Sequence, residues 1–155
     1  MTVLTDASNG ALNALESHAM AAGVFEKVNR HEVKNVPGSG LTAEIWCDRI
    51  DPVAARSGLA ATSVRLVFKV RIGINMLAEP QDAIDPAVIA AVDVLLTAYS
   101  GDFDFGGTVS NVDLLGAHGI GLGAQAGYLQ RGQTLARVMD INVPLIINDA
   151  FTQAA

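Results

Sequence analysis

Between residues 62 and 76 the chain alternates without a break. Val64, Leu66, Phe68, Val70, Ile72, Ile74 and Met76 take every second position. Ser63, Arg65, Val67, Lys69, Arg71, Gly73 and Asn75 lie between them. Successive side chains of a strand point to opposite faces, so this pattern specifies one long strand with an apolar face and a polar, basic face. A helix would scatter the same apolar residues around its circumference. Any fold of this chain must therefore bury one face of a sheet. Phe68 and Val70 sit mid-row and are expected at the centre of the core. Arg65 is expected on the solvent face, where its removal would cost the fold little.

The flanking segments supply partners for that strand. Residues 9–22 read as a helix, with Leu12, Leu15, Ala19 and Ala22 at helical spacing and Gly23 as a stop. Residues 24–34 read as a strand and 36–40 as a turn. Residues 41–50 alternate, with Leu41, Ala43, Ile45 and Cys47 on the apolar face and Trp46 interrupting the polar one. Residues 51–61, which include Arg56, form a loop long for a hairpin connection. A second helix spans 85–100. Asp85 suits its N-cap, Pro86 its first turn, and Ile84 with Ile89 a hydrophobic staple. Its apolar stripe is Val88, Val92, Leu95, Leu96 and Tyr99. An acidic aromatic loop follows at 102–107, then a strand at 108–115 and a glycine-rich segment at 116–127. Residues 128–147 hold one long strand or a hairpin, with Pro144 placing that end at an edge or bulge. The order α-β-β-β-α-β-β, without regular parallel crossovers, predicts a single α+β domain over 1–155. Its sheet is mostly antiparallel, of about five strands, with two packed helices.

Charge and cysteine usage narrow the function classes. Residues 1–71 hold eight basic and seven acidic residues (+1), and residues 72–155 hold two basic and nine acidic (−7), which sum to the net −6. Such an acidic balance disfavours nucleic-acid binding, and no aromatic stacking platform accompanies Arg65, Lys69 and Arg71. Cys47 is the only cysteine, which excludes an intrachain disulfide and points to a reducing, intracellular setting. No run of 18 apolar residues predicts a membrane span, and no leader pattern predicts secretion. Half of the residues are nonetheless hydrophobic. Contacts between subunits would bury that excess, because large apolar patches are rare on monomers.

Catalytic patterns do not assemble. His18, His31 and His118 lie far apart and lack companions at metal-site spacing. Ser57 lies in no nucleophile elbow. Cys47 reads as a small buried hydrophobe. Asp102 and Asp104 form a carboxylate pair only in a short loop, without the apolar pocket that would tune one of them. The segment 121–126 fits a loose dinucleotide pattern, but too little chain follows for a Rossmann unit. The reading is a non-enzyme without cofactor or metal.

Several blocks together carry a resemblance to one family. They are SGLAATS (57–63) with VRLVFKVRIGINML (64–77), EPQDAIDPAV (79–88), YSGDFDFGG (99–107), VDLLGAHG (112–119) and AGYLQRGQTLARVMDINVPLIINDAF (126–151). In this order and spacing they resemble the tail terminator proteins of long-tailed bacteriophages, especially those of actinobacterial hosts. The resemblance runs over about residues 3–152 and is weakest at 119–125. It implies a mixed α+β fold and a ring, typically a hexamer, on the head-proximal end of the tail tube. Such a ring ends tube polymerisation and then presents a docking surface to head-completion proteins. It also implies residence in the tail or neck of the virion, and in the host cytoplasm during assembly. The family carries no active-site residues. Another neck or tail-tube subunit is the nearest alternative, and a small ligand-binding α+β domain is the alternative from a different class. Candidate contact residues are Asp102, Phe103, Asp104 and Phe105 in one loop, Arg56 in another, and the basic row Arg65, Lys69 and Arg71.

Overall fold

The computed structural model describes residues 2–33 and 40–153. The chain runs α1 (Val3–Ala22), β1 (Lys27–Asn29), β2 (Thr42–Pro52), β3 (Ala61–Asn75), α2 (Ile84–Gly101), β4 (Asn111–Val112), β5 (Gly123–Arg131) and β6 (Thr134–Thr152). The fold is α+β, with both helices on one mostly antiparallel sheet. Strand order is β1-β2-β3-β6, with β5 and β4 following one another along the far edge of β6. Among the described residues, only the β1–β2 pair is parallel.

The alternating segment becomes β3, the central strand. Its apolar row faces the helices, and Leu66, Phe68, Val70 and Ile72 are buried there with Ile45, Ile141, Val143 and Leu145. Leu15, Ala19, Val88, Leu95 and Tyr99 close the same core from the helices.

Several boundaries differ from expectation. α1 starts six residues before position 9. Thr2 caps it, its hydroxyl accepting the Thr5 N–H at 3.3 Å, and its buried row is Ala7, Ala11, Leu15 and Ala19. The N-cap of α2 is Ala83 rather than Asp85, because a 3₁₀ turn at Gln81–Ala83 leads straight into the helix. Asp85 therefore lies in the first turn and pairs with Arg137 at 3.0 Å. The shifted start also separates the staple: Ile84 is buried and Ile89 exposed. Pro86 remains in the first turn, where its missing N–H leaves no bond unmade. The strand expected over 24–34 shrinks to three residues, and the turn expected at 36–40 lies outside the described residues except for Gly40. The strand expected over 108–115 shrinks to Asn111–Val112.

The region 128–147 is a hairpin that begins earlier and ends later than expected. Gly132 and Gln133 form its two-residue turn, with Gly132 at φ 62°. Pro144 lies within β6, opposite Val67 of β3. Its ring faces the other side, where β5 has ended at Asn142 and β4 begins only opposite Leu145. No ladder bond is lost at that gap.

α2 with its leading turn, Gln81–Gly101, is long and apolar enough to cross a membrane, although no single apolar run reveals it. In this fold Ile84, Val88, Ala91, Val92, Leu95 and Tyr99 are buried. That row makes α2 a core helix.

Candidate functional site

The second face of β3 departs most from expectation. Arg65 is buried at 5% exposure, and Ser63, Val67 and Gly73 are buried beside it. The segment between β4 and β5 folds back over this end of the sheet. Asp113 meets Arg65 there, with Nε to carboxylate at 3.3 Å. The Arg65 guanidinium also donates to the Ile120 carbonyl. The other contacts of Asp113 are backbone N–H groups: Ala117 at 2.8 Å and His118 at 3.1 Å. This coil explains the glycines of 116–121. A Cβ on Gly121 would stand 2.7 Å from the Leu114 carbonyl, and one on Gly116 would stand 2.7 Å from the Gly121 nitrogen. Only glycine permits so tight a wrap.

Burial raises the pKa of Asp113, but the two N–H donors and the guanidinium outweigh it and hold the carboxyl below the usual range. A carboxylate held low in the folded state stabilises it above its unfolded pKa. That contribution is lost as pH falls through the folded value. Acidification should thus destabilise the wild type more steeply than Asp113→Asn. Urea midpoints at neutral and acid pH check this: the gap between the two proteins narrows as pH falls.

Further along the same face, the charges pair across distant strands. Arg71 forks onto Asp140, at 2.8 and 3.1 Å, and lies 4.9 Å over the Trp46 ring. The hydrogen bond to Asp140 raises the Arg71 pKa further. Arg131, at the tip of the β5–β6 hairpin, forks onto Glu44 of β2, at 2.7 and 2.9 Å. Two strands lie between β2 and β5, roughly 14 Å of sheet. The pair closes only because the sheet curls toward this face.

Of the basic row, Lys69 alone has no ion-pair partner among the described residues. It borders a cleft of about 350 Å³ with Asp48, His118, Gln125 and Asn142. The row is therefore not a solvated basic stripe. Two of its three charges are neutralised, by Asp113 and Asp140. Asp113, Glu44, Asp140 and Arg131 are the residues that sequence reading missed. The acidic excess of residues 72–155 was the available signal for Asp113 and Asp140; the Glu44–Arg131 pair runs the other way between the halves.

The loop after α2 splits its two aromatic rings. Phe103 is 54% exposed and Phe105 only 2%. Phe105 sits at φ 49° and turns inward, 6.0 Å from the Tyr99 ring and 6.2 Å from His18. This corrects Phe105 as a surface contact: it plugs the core beneath α1 and α2. Asp102 meets His18 at 2.8 Å and accepts the Gly106 N–H at 3.1 Å, so it fastens the loop to α1. Asp104 is exposed. Burial raises the pKa of Tyr99, whose hydroxyl has no hydrogen-bond partner among the described residues.

Arg56 is exposed and donates to the Asn111 side chain at 2.9 Å. Its loop is tied down rather than loose. Ser57 donates to the Val53 carbonyl at 2.6 Å, and Ser63 to the Arg56 carbonyl at 2.7 Å. Cys47 is exposed, contrary to its expected burial. A bulge between Cys47 and Arg49 interrupts β2 at this point. Its thiol pKa is raised, chiefly by desolvation and then by Asp48.

Among the described residues no cluster of His, Cys, Asp and Glu could hold a metal ion. No protein-family model matches the chain, and no curated protein matches it.

Proposed function

We propose that the protein is a ring-forming structural subunit that caps the head-proximal end of a phage tail tube. The ordered blocks between residues 57 and 151 carry this reading, through their resemblance to tail terminators. The distribution of exposed apolar side chains supports it. Leu59, Leu115 and Ile120 lie toward the end of the sheet where β3 begins, and all three are largely exposed. Leu77, Tyr128 and Leu135 lie toward the other end and are also exposed. A terminator must meet the tube on one side and head-completion proteins on the other. Two dissimilar apolar ends suit that task.

The β5–β6 hairpin favours one second reading, a tail-tube subunit, since such subunits use long hairpins to line an inner barrel. Imaging an intact particle separates the two. A terminator occupies one ring at the neck, and a tube subunit repeats along the tail. Absence from the particle, or presence as isolated monomers, would end both readings.

Phe103 is the residue of the 102–107 loop placed to touch a partner. Phe103→Ser should fold normally and fail to complement a terminator-deficient phage, leaving tails overlong or unjoined to heads. Normal tails and full infectivity would remove this loop from the functional surface.

A further inference from the structure

The back face of the sheet, turned away from the helices, neutralises its arginines one by one. Arg65 meets Asp113, Arg71 meets Asp140 and Arg131 meets Glu44, each partner coming from a distant part of the chain. At the rim, Arg49 pairs with Asp51 at 2.9 Å. Lys69 stands between Arg65 and Arg71 in the same row of β3 and is half-buried. It has neither an ion pair nor a hydrogen bond among the described residues. A partly desolvated ammonium without a counter-charge gains from a carboxylate that reaches it.

The surroundings of Lys69 suit such a group. Asn142 lies directly opposite it on β6, and Gln125 lies one diagonal step further on β5. Side chains so placed share a face, with Cβ atoms about 5 Å apart across the strands and about 7 Å apart on the diagonal. Neither amide has a hydrogen-bond partner among the described residues, nor does the ring of His118, which closes the wall on the coil side. All four line the cleft of about 350 Å³. Lys69, Asn142 and Gln125 also line an adjoining cleft of about 230 Å³, so they stand where the two meet. The ammonium and both amides can each donate an N–H to one anion placed there.

The charges around the cleft select among anions. Arg49, Arg65 and Lys69 on its walls are balanced by Asp51, Asp113 and Asp48. Asp48 is exposed and has no ion-pair partner among the described residues. With charges of both signs in balance, no long-range field draws in a polyanion. Recognition is local, through one ammonium and the neighbouring amide donors. That chemistry takes a singly charged carboxylate and disfavours a phosphate dianion or a phosphodiester chain.

We infer that this cleft binds a carboxylate, with Lys69 as its counter-charge, Asn142 and Gln125 as donors, and Asp48 opposing it from the rim. A free carboxylic acid and an acidic side chain on another protein share this chemistry, and the experiment separates them.

NMR titrations of the full chain at constant ionic strength test the site. Acetate and an end-blocked glutamate peptide are the probes, with inorganic phosphate and chloride as comparisons. A carboxylate probe should shift the side-chain amide signals of Asn142 and Gln125 saturably. Saturation by acetate marks a site for small acids, and saturation by the peptide alone marks a site for a protein-borne side chain. Lys69→Met should weaken binding about tenfold or more, as for loss of a charged hydrogen bond. Asp48→Asn should tighten it severalfold. Backbone amide signals unchanged elsewhere show that the variants keep the fold.

Phosphate or chloride shifting the same signals as strongly as the carboxylates overturns the inference. So does a Lys69→Met protein that binds as the wild type does. Should the methionine variant misfold, the exposed Asp48 decides: binding left unchanged by Asp48→Asn overturns the site. Amides that respond to no probe mean that the cleft is only a solvated face, and the inference fails.

Discussion

Arg65→Ala is expected to destabilise the fold by about 3–5 kcal/mol, the usual cost of breaking a buried ion pair from one side. Both partners are almost fully enclosed, with side-chain exposures of 6% for Arg65 and 5% for Asp113. Removing the guanidinium strands a carboxylate in the interior and releases the Ile120 carbonyl. Asp113→Ala should cost about as much. It also frees the N–H groups of Ala117 and His118 and loosens the 116–121 coil. The double variant should lose much less than the sum, because the second substitution removes a charge already unpaired. Lys69→Ala, four residues along the same face, should change stability by only a few tenths of a kcal/mol, as surface substitutions do. Urea titration of the four variants beside wild type checks the set. An Arg65→Ala midpoint matching wild type would mean that this face is open to solvent after all.

Phe105→Ala is expected to cost about 3–5 kcal/mol, as for other buried phenylalanines. The ring fills the space between His18, Tyr99 and the start of the β4 segment. Without it the Asp102–His18 tie would hold a loop over a cavity. Phe103→Ser, two residues away and half exposed, should leave the melting temperature nearly unchanged. Calorimetry on the two variants separates packing from docking within one loop. Equal losses at both positions would contradict the inward turn of Phe105 at φ 49°.

The elements with regular periodicity were legible from the chain. β3, the body of α2 and the Ala43–Ile45 row of β2 fell where spacing placed them, and the helix-facing row of β3 is the core row; the β2 row breaks at Cys47, which is exposed. Ends were less legible. The start of α1 depends on one threonine cap, and that of α2 on a 3₁₀ turn whose geometry no periodicity encodes. β1 and β4 are too short for a period to register.

The candidate surface was legible only in part, and the reason is physical. Alternation fixed which residues share a face of β3: Phe68 with Val70, Arg65 with Lys69 and Arg71. It could not say what covers each face, because the cover comes from far along the chain. Asp113 reaches Arg65 from 48 positions away, Asp140 reaches Arg71 from 69, and Arg131 reaches Glu44 from 87. A basic residue at an alternating position looks solvated until the fold brings a carboxylate over it. The sequence by itself determined the strand, its two faces and the unequal charge of the two halves. Only the tertiary structure decided that Arg65 and Arg71 meet acids from the second half, Asp113 and Asp140, since the desolvated charge of Arg65 is tolerable only with Asp113 beside it.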